Sequence, residues 1–443
     1  MVKKIEEEDF YHGLLPREDI PCLLKSAGDY LLRISQVNVG EERQMIISVA
    51  IGLDSNPTPG QLMDKVTGKA IMIKHVVISC FQNKFLCDGK TQFDSIVELL
   101  NYYNENKISM MPTFPNVVPQ NAILRQPWEL RHSDVEKEKK LGEGAFGEVY
   151  KGTLILQPTK RSVDVAIKLA KTGEMTKEKI KEMMNEARLM RNYDHPNVVK
   201  LYGVCVEHEP LMIVMELING GGLDAYLKKF LTPMEEKVEN MVCGVAWGLD
   251  YLHHKNCIHR DIAARNCLYA NHTVKISDFG LSREGTVYQM KVVRRVPIKW
   301  LAPETIQTLC YSQKTDVWSF GILVFEIFSN GDDPYSGMTN SEVKEKVLTG
   351  YRMELPPDTP PEIARLVASE CWSVKPELRP TMRQIVKTLE IATGKAAPPG
   401  SWSVPKVSNK AQSPGAGILS KQRKKKKRNP FHLKPNMSTN GEK

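Results

Sequence analysis

Leu141-Gly142-Glu143-Gly144-Ala145-Phe146-Gly147-Glu148-Val149 carries glycines in the pattern G-x-G-x-x-G-x-V. Glycine lets a backbone approach a polyanion closely and turn its N–H groups toward it. The spacing alone also suits dinucleotide-binding folds, where the glycines open a helix. Here Val149-Tyr150-Lys151-Gly152-Thr153-Leu154 follows, β-like and broken by glycine. That context favours a hairpin whose backbone covers phosphates, with an ordinary hairpin turn as the plainer alternative. A second feature is Lys168, at the end of Val165-Ala166-Ile167-Lys168 in a strand predicted over Val163 to Leu169. A lysine in an apolar strand needs a partner, because burying an unpaired charge is costly. Glu186 lies eighteen residues on, in a stretch (Lys177 to Arg191) whose apolar positions Ile180, Met183, Met184, Ala187 and Met190 recur at helical spacing. A Lys168–Glu186 ion pair would hold the lysine against the α- and β-phosphates of a nucleotide. The alternative is a surface lysine and a solvated glutamate. A third feature is Arg33, inside the apolar run Tyr30-Leu31-Leu32-Arg33-Ile34-Ser35. Such an arginine needs an anion, either a phosphate gripped bidentately or a structural ion-pair partner.

His259-Arg260-Asp261-Ile262-Ala263-Ala264-Arg265-Asn266, then Asp278-Phe279-Gly280, then Ala302-Pro303-Glu304, follow these motifs in order. Together they resemble a complete protein kinase domain. The resemblance implies phosphoryl transfer from ATP, a reaction governed by positioning and charge neutralisation. It makes Asp261 the residue that accepts or orients the substrate hydroxyl proton. Asn266 and Asp278 become hard oxygen ligands of the kind Mg²⁺ prefers. Leu141, Val149, Ala166 and Leu268 become an apolar adenine slot backed by Met215, with Glu216 to Ile218 as the hinge. Gly142, Gly144 and Gly147 cover the phosphates. Ile262-Ala263-Ala264-Arg265 resembles tyrosine kinases, which place an arginine at Arg265 where serine/threonine kinases have a lysine at the position of Ala263. Pro297-Ile298-Lys299-Trp300 resembles their substrate shelf, and both matches imply tyrosine as acceptor. Asp316-Val317-Trp318-Ser319-Phe320-Gly321, Cys371-Trp372 and Arg379-Pro380 match the helical lobe. Glu304 and Arg379 resemble the family's structural ion pair.

Phe10-Tyr11-His12-Gly13, Pro16-Arg17, and Gly28 through Ser35 resemble a Src homology 2 (SH2) domain. Ile73-Lys74-His75-Val76-Val77-Ile78 and Phe93 through Leu100 continue it. The resemblance makes Arg33 the phosphotyrosine-binding arginine, supported by Arg17, Ser35 and His75. Phe10 replaces the usual tryptophan, Ile34 the acidic residue after the arginine, and Val77 a position often basic in Src-like members. Residues 52–72 are longer than the usual connection, which leaves peptide preference open. An SH2 domain directly ahead of a kinase, with Trp128-Glu129-Leu130 at the junction and Met215, resembles the Fes/Fer class of non-receptor tyrosine kinases. That class carries a membrane-curving N-terminal region not seen here, so a short Fes/Fer-like kinase is expected.

The elements that must position these residues fit 443 residues in two to four domains. The expected fold is α+β and multidomain. An extension (1–9) leads to an SH2 domain (10–107) with a central antiparallel sheet flanked by two helices. A proline-bearing linker (108–133: Pro112, Pro115, Pro119, Pro127) leads to a bilobal kinase domain (134–394) and a disordered basic tail (395–443). Hydrophobic residues at 41% and charged residues at 26% exclude collagen, coiled coil and wholesale disorder. Apolar runs fall short of the roughly 20 residues of a membrane span, and the charged N-terminus is not read as a secretory signal. Nine scattered cysteines read as free thiols of a reducing compartment, so a cytoplasmic protein is expected. Net charge is +9, but the tail holds ten Lys, two Arg and one Glu, which leaves the first 394 residues at −2. Lys421 to Arg428 reads K-Q-R-K-K-K-K-R. It is a solvated tail, an attachment to anionic lipid of the plasma membrane's inner face, or a nuclear address. Nucleic acid is not an expected partner, since no folded aromatic surface accompanies the charge. The expected partners are tyrosine-phosphorylated proteins and protein tyrosine substrates. Tyr288, among Arg283, Lys291, Arg294 and Arg295, is the expected regulatory phosphosite on a mobile loop. The competing function is a pseudokinase adaptor that reads phosphotyrosine without catalysis. Retention of Lys168, Asp261 and Asp278 favours the enzyme.

Overall fold

The computed structural model describes residues 5–37, 40–53, 58–144, 147–170, 175–291 and 296–398. Ala145, Phe146, Arg294, Arg295 and the basic run 421–428 lie outside the described residues. No helix among the described residues is long and apolar enough to cross a membrane. All nine cysteines are free, five of them buried.

The first sheet is built on β1 (Asp29–Gln36), β2 (Arg43–Gly52) and β3 (Ala70–Phe81), paired antiparallel with β2 in the centre. β2 is buried from Ile46 to Ile51, because both faces are covered and period-two alternation is no longer needed. On one face Leu32, Ile47, Val49 and Ile51 meet Leu99, Leu100 and Tyr103 of α1 (Ile96–Glu105). On the other face the predicted helix is a 3₁₀ turn, Arg17–Cys22. Pro21 inside it has no N–H to continue an α-helix.

The second sheet runs in the order Glu129–Leu130, β7 (Leu201–Cys205), β8 (Met212–Glu216), β6 (Arg161–Leu169), β5 (Gly147–Leu156), β4 (Val135–Gly144). The helix read between Lys177 and Arg191 is α2 (Lys177–Met190), capped by the Thr176 hydroxyl, which accepts from Lys179 N. A helical lobe follows around α3 (Cys243–His254), α4 (Gln313–Phe328) and α5 (Met382–Thr393).

One expectation changes here. The proline-bearing segment is not a free linker. Asn121–Ala122 adds a parallel edge to β1, and Glu129–Leu130 adds one to β7. Pro119 and Pro127 sit just outside these short pairings, where a missing N–H costs no ladder bond. The first core also continues past residue 107, through buried Met110 and Val117. The period of α2 leaves open what its apolar stripe packs against. Ile180, Met183, Met184 and Ala187 share one core with Leu14, Leu15, Ile20, Leu24, Leu31 and Ile71 of the first sheet's layer. The junction is close enough that Leu14 N donates to Val206 O at 2.7 Å. A Cβ on Gly13 (φ +51°) would meet that same oxygen at 2.0 Å, so only glycine fits there. The His12 ring bonds Glu129 at 2.7 Å, both side chains fully enclosed. Asp19, buried, takes Arg188 of α2 at 2.8 Å and Arg191, just past its end, at 3.1 Å.

In the helical lobe, Arg379 is buried and donates to both Glu304 oxygens at 2.7 and 2.8 Å, to Ser373 O and to Lys314 O. Removing one partner strands the other charge, so Arg379→Ala is expected to cost about 3–5 kcal/mol. Chemical denaturation of the two proteins checks this. A loss under about 1 kcal/mol would place the pair among ordinary surface bridges.

Candidate active site

The glycine motif forms the hairpin between β4 and β5, with Gly142 opposite Val149 and Gly144 opposite Gly147. A Cβ on Gly147 would meet Leu169 O at 2.1 Å, so the close approach of this hairpin to β6 requires glycine. Across β5 and β6, Val149 faces Lys168, and across β6 and β8, Ala166 faces Met215. Glu216 ends β8, its carboxylate held by Lys200 N at 2.7 Å and Lys275 Nζ at 2.8 Å. The chain then turns through Ile218, whose carbonyl accepts from Gly221 N. Leu268 returns beside this turn by a bridge to Gly222, and Leu141 stands half-exposed at the hairpin's base.

Lys168 Nζ donates to Glu186 Oε1 at 2.7 Å, Glu186 Oε2 at 3.0 Å and Asp278 Oδ1 at 3.1 Å. Burial works against its charge, but two carboxylates outweigh burial and hold it above the ordinary lysine range. Burial alone would raise Asp278, yet the charge and hydrogen bond of Lys168 leave it below the ordinary range. Asp278 and Arg260 both adopt left-handed backbone, φ +57° and +72°. Neither is glycine, so both store strain of the kind found at functional sites.

Asp261 is buried, which raises its carboxyl against the pull of Arg265. Arg265 donates to Asp261 Oδ1, and Asn266 Nδ2 donates to Asp261 O at 2.8 Å. The Asn266 amide is thereby oriented with its oxygen left to accept or to ligate a cation. Asn266 and Asp278 offer hard oxygen atoms beside a held lysine, which fits a divalent cation with a polyphosphate.

Residues 135–389 match the protein tyrosine and serine/threonine kinase family. The tyrosine-protein kinase Fer of Rattus norvegicus is 41% identical over 394 residues, covering 87% of this chain and 44% of that protein. The Homo sapiens protein of that name is 40% identical over 396 residues, with shares of 88% and 44%. Fer-related kinase 1 of Caenorhabditis elegans is 38% identical over 389 residues, with shares of 87% and 94%. The chain belongs to the protein kinase family, among the Fer-related kinases. It spans less than half the length of the mammalian relatives and nearly all of the nematode one.

Two carboxylates hold this site from α4: Asp316, which the motif placed only in the helical lobe, and Glu326, which no motif singled out. Asp316, in the first turn of α4, accepts from His259 N at 2.8 Å, Arg260 N at 2.9 Å and His253 Nε2 at 3.1 Å. It fixes the backbone from which Asp261 projects. Glu326, ten residues on, accepts from Ala264 N and from Trp300 Nε1, both at 3.0 Å. Burial pushes its carboxyl up to about 7. The Arg265 guanidinium lies 4.1 Å from the Trp300 ring, so the Pro297–Trp300 segment and the Asp261–Asn266 loop touch through the residue that grips Asp261. The available signal was a carboxylate inside the apolar run of α4, which has to be paid for by partners.

Tyr288 lies on a short strand, Val287–Gln289, paired with Cys310–Ser312. Its ring sits 4.5 Å from the Arg260 guanidinium and 5.4 Å from that of Arg283. Arg260 Nε is buried without a hydrogen-bond partner among the described residues.

Arg33 is 4% exposed and faces a recess of about 570 Å³ lined also by Arg17, Ser35 and His75, so all four expected phosphate ligands share one site. Its Nε reaches Ser48 Oγ at 3.4 Å, and Ser48 in turn bonds His75 Nδ1 at 2.9 Å. Ser48 was overlooked within the apolar run from Met45 to Ile51. Burial, then the charges of Arg33 and Arg17, push His75 down to about 4, so it is neutral at pH 7.

Proposed function

We propose that this chain is a protein tyrosine kinase that transfers the γ-phosphate of ATP to protein tyrosine residues. We further propose that its N-terminal part is an SH2 domain that binds phosphotyrosine. The observation that carries the first reading is the joined Glu186–Lys168–Asp278 chain of contacts beside Asp261 and Asn266. A pseudokinase adaptor would not need these groups held together.

In this mechanism the β4–β5 hairpin covers the phosphates and Lys168 holds the α- and β-phosphates. Asn266 and Asp278 would ligate Mg²⁺, which supplies charge neutralisation on the phosphate oxygens. Asp261 accepts the phenol proton as the tyrosine oxygen bonds the γ-phosphorus. The bond from that phosphorus to the β–γ bridging oxygen breaks, leaving ADP. Arg265, between Asp261 and the Trp300 ring, keeps the carboxylate oriented and sets the acceptor's depth. Labelled phosphate transfer to a tyrosine polymer and to a serine/threonine polymer tests the reading. Transfer to neither, or only to the second, overturns it.

The proposed phosphosite is Tyr288, and its switch rests on Arg260. A phosphate there adds roughly −1.5 to −2 charge and three acceptor oxygens. Arg260 and Arg283 already flank the ring, and the unpartnered Arg260 Nε is one donor in waiting. Autophosphorylation in trans is expected to raise activity several-fold. Tyr288→Phe is expected to remain at the unstimulated rate after preincubation with Mg-ATP. Equal time courses for the two proteins would exclude a switch at this residue.

A further inference from the structure

We infer that the phosphotyrosine site is built by both parts of the chain. Lys177 and Lys181 of α2 join Arg33 in one recess and select phosphopeptides with acidic residues flanking the phosphotyrosine. This rests on the reading of the Arg33 recess as a phosphotyrosine site.

The recess has two walls. One carries Arg17, Arg33, Ser35, Ile46, His75 and Val77 of the first sheet's layer, and the other is the start of α2, with Lys177, Glu178, Ile180 and Lys181. At about 570 Å³ the space is that of a small-ligand pocket rather than a surface dimple. No carboxylate pairs with the buried Arg33 guanidinium among the described residues, so a charged group that needs an anion points into it.

The other cations of the recess differ in what already occupies them. Arg43 donates to Met175 O and pairs with Glu209. Lys181 pairs with Glu18 across the junction. Lys177 is exposed and has no ion pair among the described residues. Arg17 and Arg33 belong to the phosphate, so the positive charge left open to the rest of a ligand lies at Lys177 of α2. Ile46 and Val77 leave the sheet wall apolar between the two ends. A ligand whose phosphate sits on Arg33 and whose chain runs along this recess meets Lys177 directly. It meets Lys181 by taking the place of Glu18. Acidic flanks gain mainly at Lys177, because at Lys181 they replace a carboxylate already bound, and neutral flanks gain from neither.

The test uses the full chain and two labelled phosphotyrosine peptides that differ only in flanking Glu or flanking Gln, read by fluorescence anisotropy. The Glu-flanked peptide is expected to bind roughly three- to tenfold tighter at low salt, shrinking as salt screens the rim charges. Lys177→Gln with Lys181→Gln should bring that ratio to about one while leaving the Gln-flanked peptide within roughly twofold. Lys177→Glu with Lys181→Glu should reverse the preference. An unchanged preference in either double variant, or phosphopeptide binding without any preference in the unmutated chain, overturns the inference alone. Equal binding of phosphorylated and unphosphorylated peptides by the unmutated chain removes the underlying phosphotyrosine reading, and the inference with it.

Discussion

Asp261→Asn is expected to lower kcat by about 10²–10⁴-fold, the range set by losing a general base in the transition state. Asparagine keeps the shape and the contacts of the loop. Asn266 still donates to the carbonyl at position 261, and Asp316 still holds the backbone of His259 and Arg260. What disappears is the acceptor for the phenol proton and the charge that Arg265 grips. The nucleotide is held elsewhere, by the hairpin, Lys168 and the adenine slot. ATP affinity, measured by calorimetry on the same protein, is therefore expected to stay within about threefold, because no contact with the nucleotide is removed. Near-unmutated turnover would show that Asp261 is not the base. A large loss of ATP affinity would show that the substitution disturbed the site as a whole.

Much of that site was legible because phosphoryl transfer fixes residue types at short sequence spacing. Gly142 to Val149, Asp261 to Asn266 and Asp278 each lie within a few residues of one backbone turn, and local strings record local geometry. Lys168 and Glu186 were legible for another reason. A lysine in an apolar strand and a glutamate on the apolar side of a helix each require a partner. What stayed hidden acts at long range. Asp316 and Glu326 lie more than fifty residues from the loop they anchor, and the apolar run around Glu326 says only that it needs a partner, not which one. The same holds for the fold. The helical period of α2 was plain, but the period says only that one face is buried, not against what. Ile180, Met183, Met184 and Ala187 of that face share a core with Leu14, Ile20 and Leu24, some 160 residues earlier. The prolines at 119 and 127 signalled irregular backbone correctly. They carried no sign that two residues beside each would edge a sheet.

Arg33→Lys is expected to weaken phosphotyrosine-peptide binding by at least about 100-fold, the scale of losing charge-assisted hydrogen bonds to a buried group. The recess explains why the nearest cationic replacement fails. Burial, reinforced by the positive charge of Arg17, pulls Arg33 down to about 10, which still leaves it charged at pH 7. Lysine starts about two units lower, so the same surroundings bring it close to losing its proton. It also offers a point charge where the planar guanidinium offers a fork, and it cannot span the oxygens of a phosphate bidentately. His75 does not compensate, because it is neutral under the same field. Transfer to a short soluble tyrosine peptide is expected to be unchanged, since the guanidinium touches no residue of the Lys168–Asp278 cluster. Anisotropy with the phosphopeptide and a transfer assay on the same preparation separate the two activities. Retained phosphopeptide affinity in Arg33→Lys would mean that the phosphate is held elsewhere on the surface. A parallel loss of transfer would instead mean that the recess supports α2, and through it the Lys168–Glu186 contact.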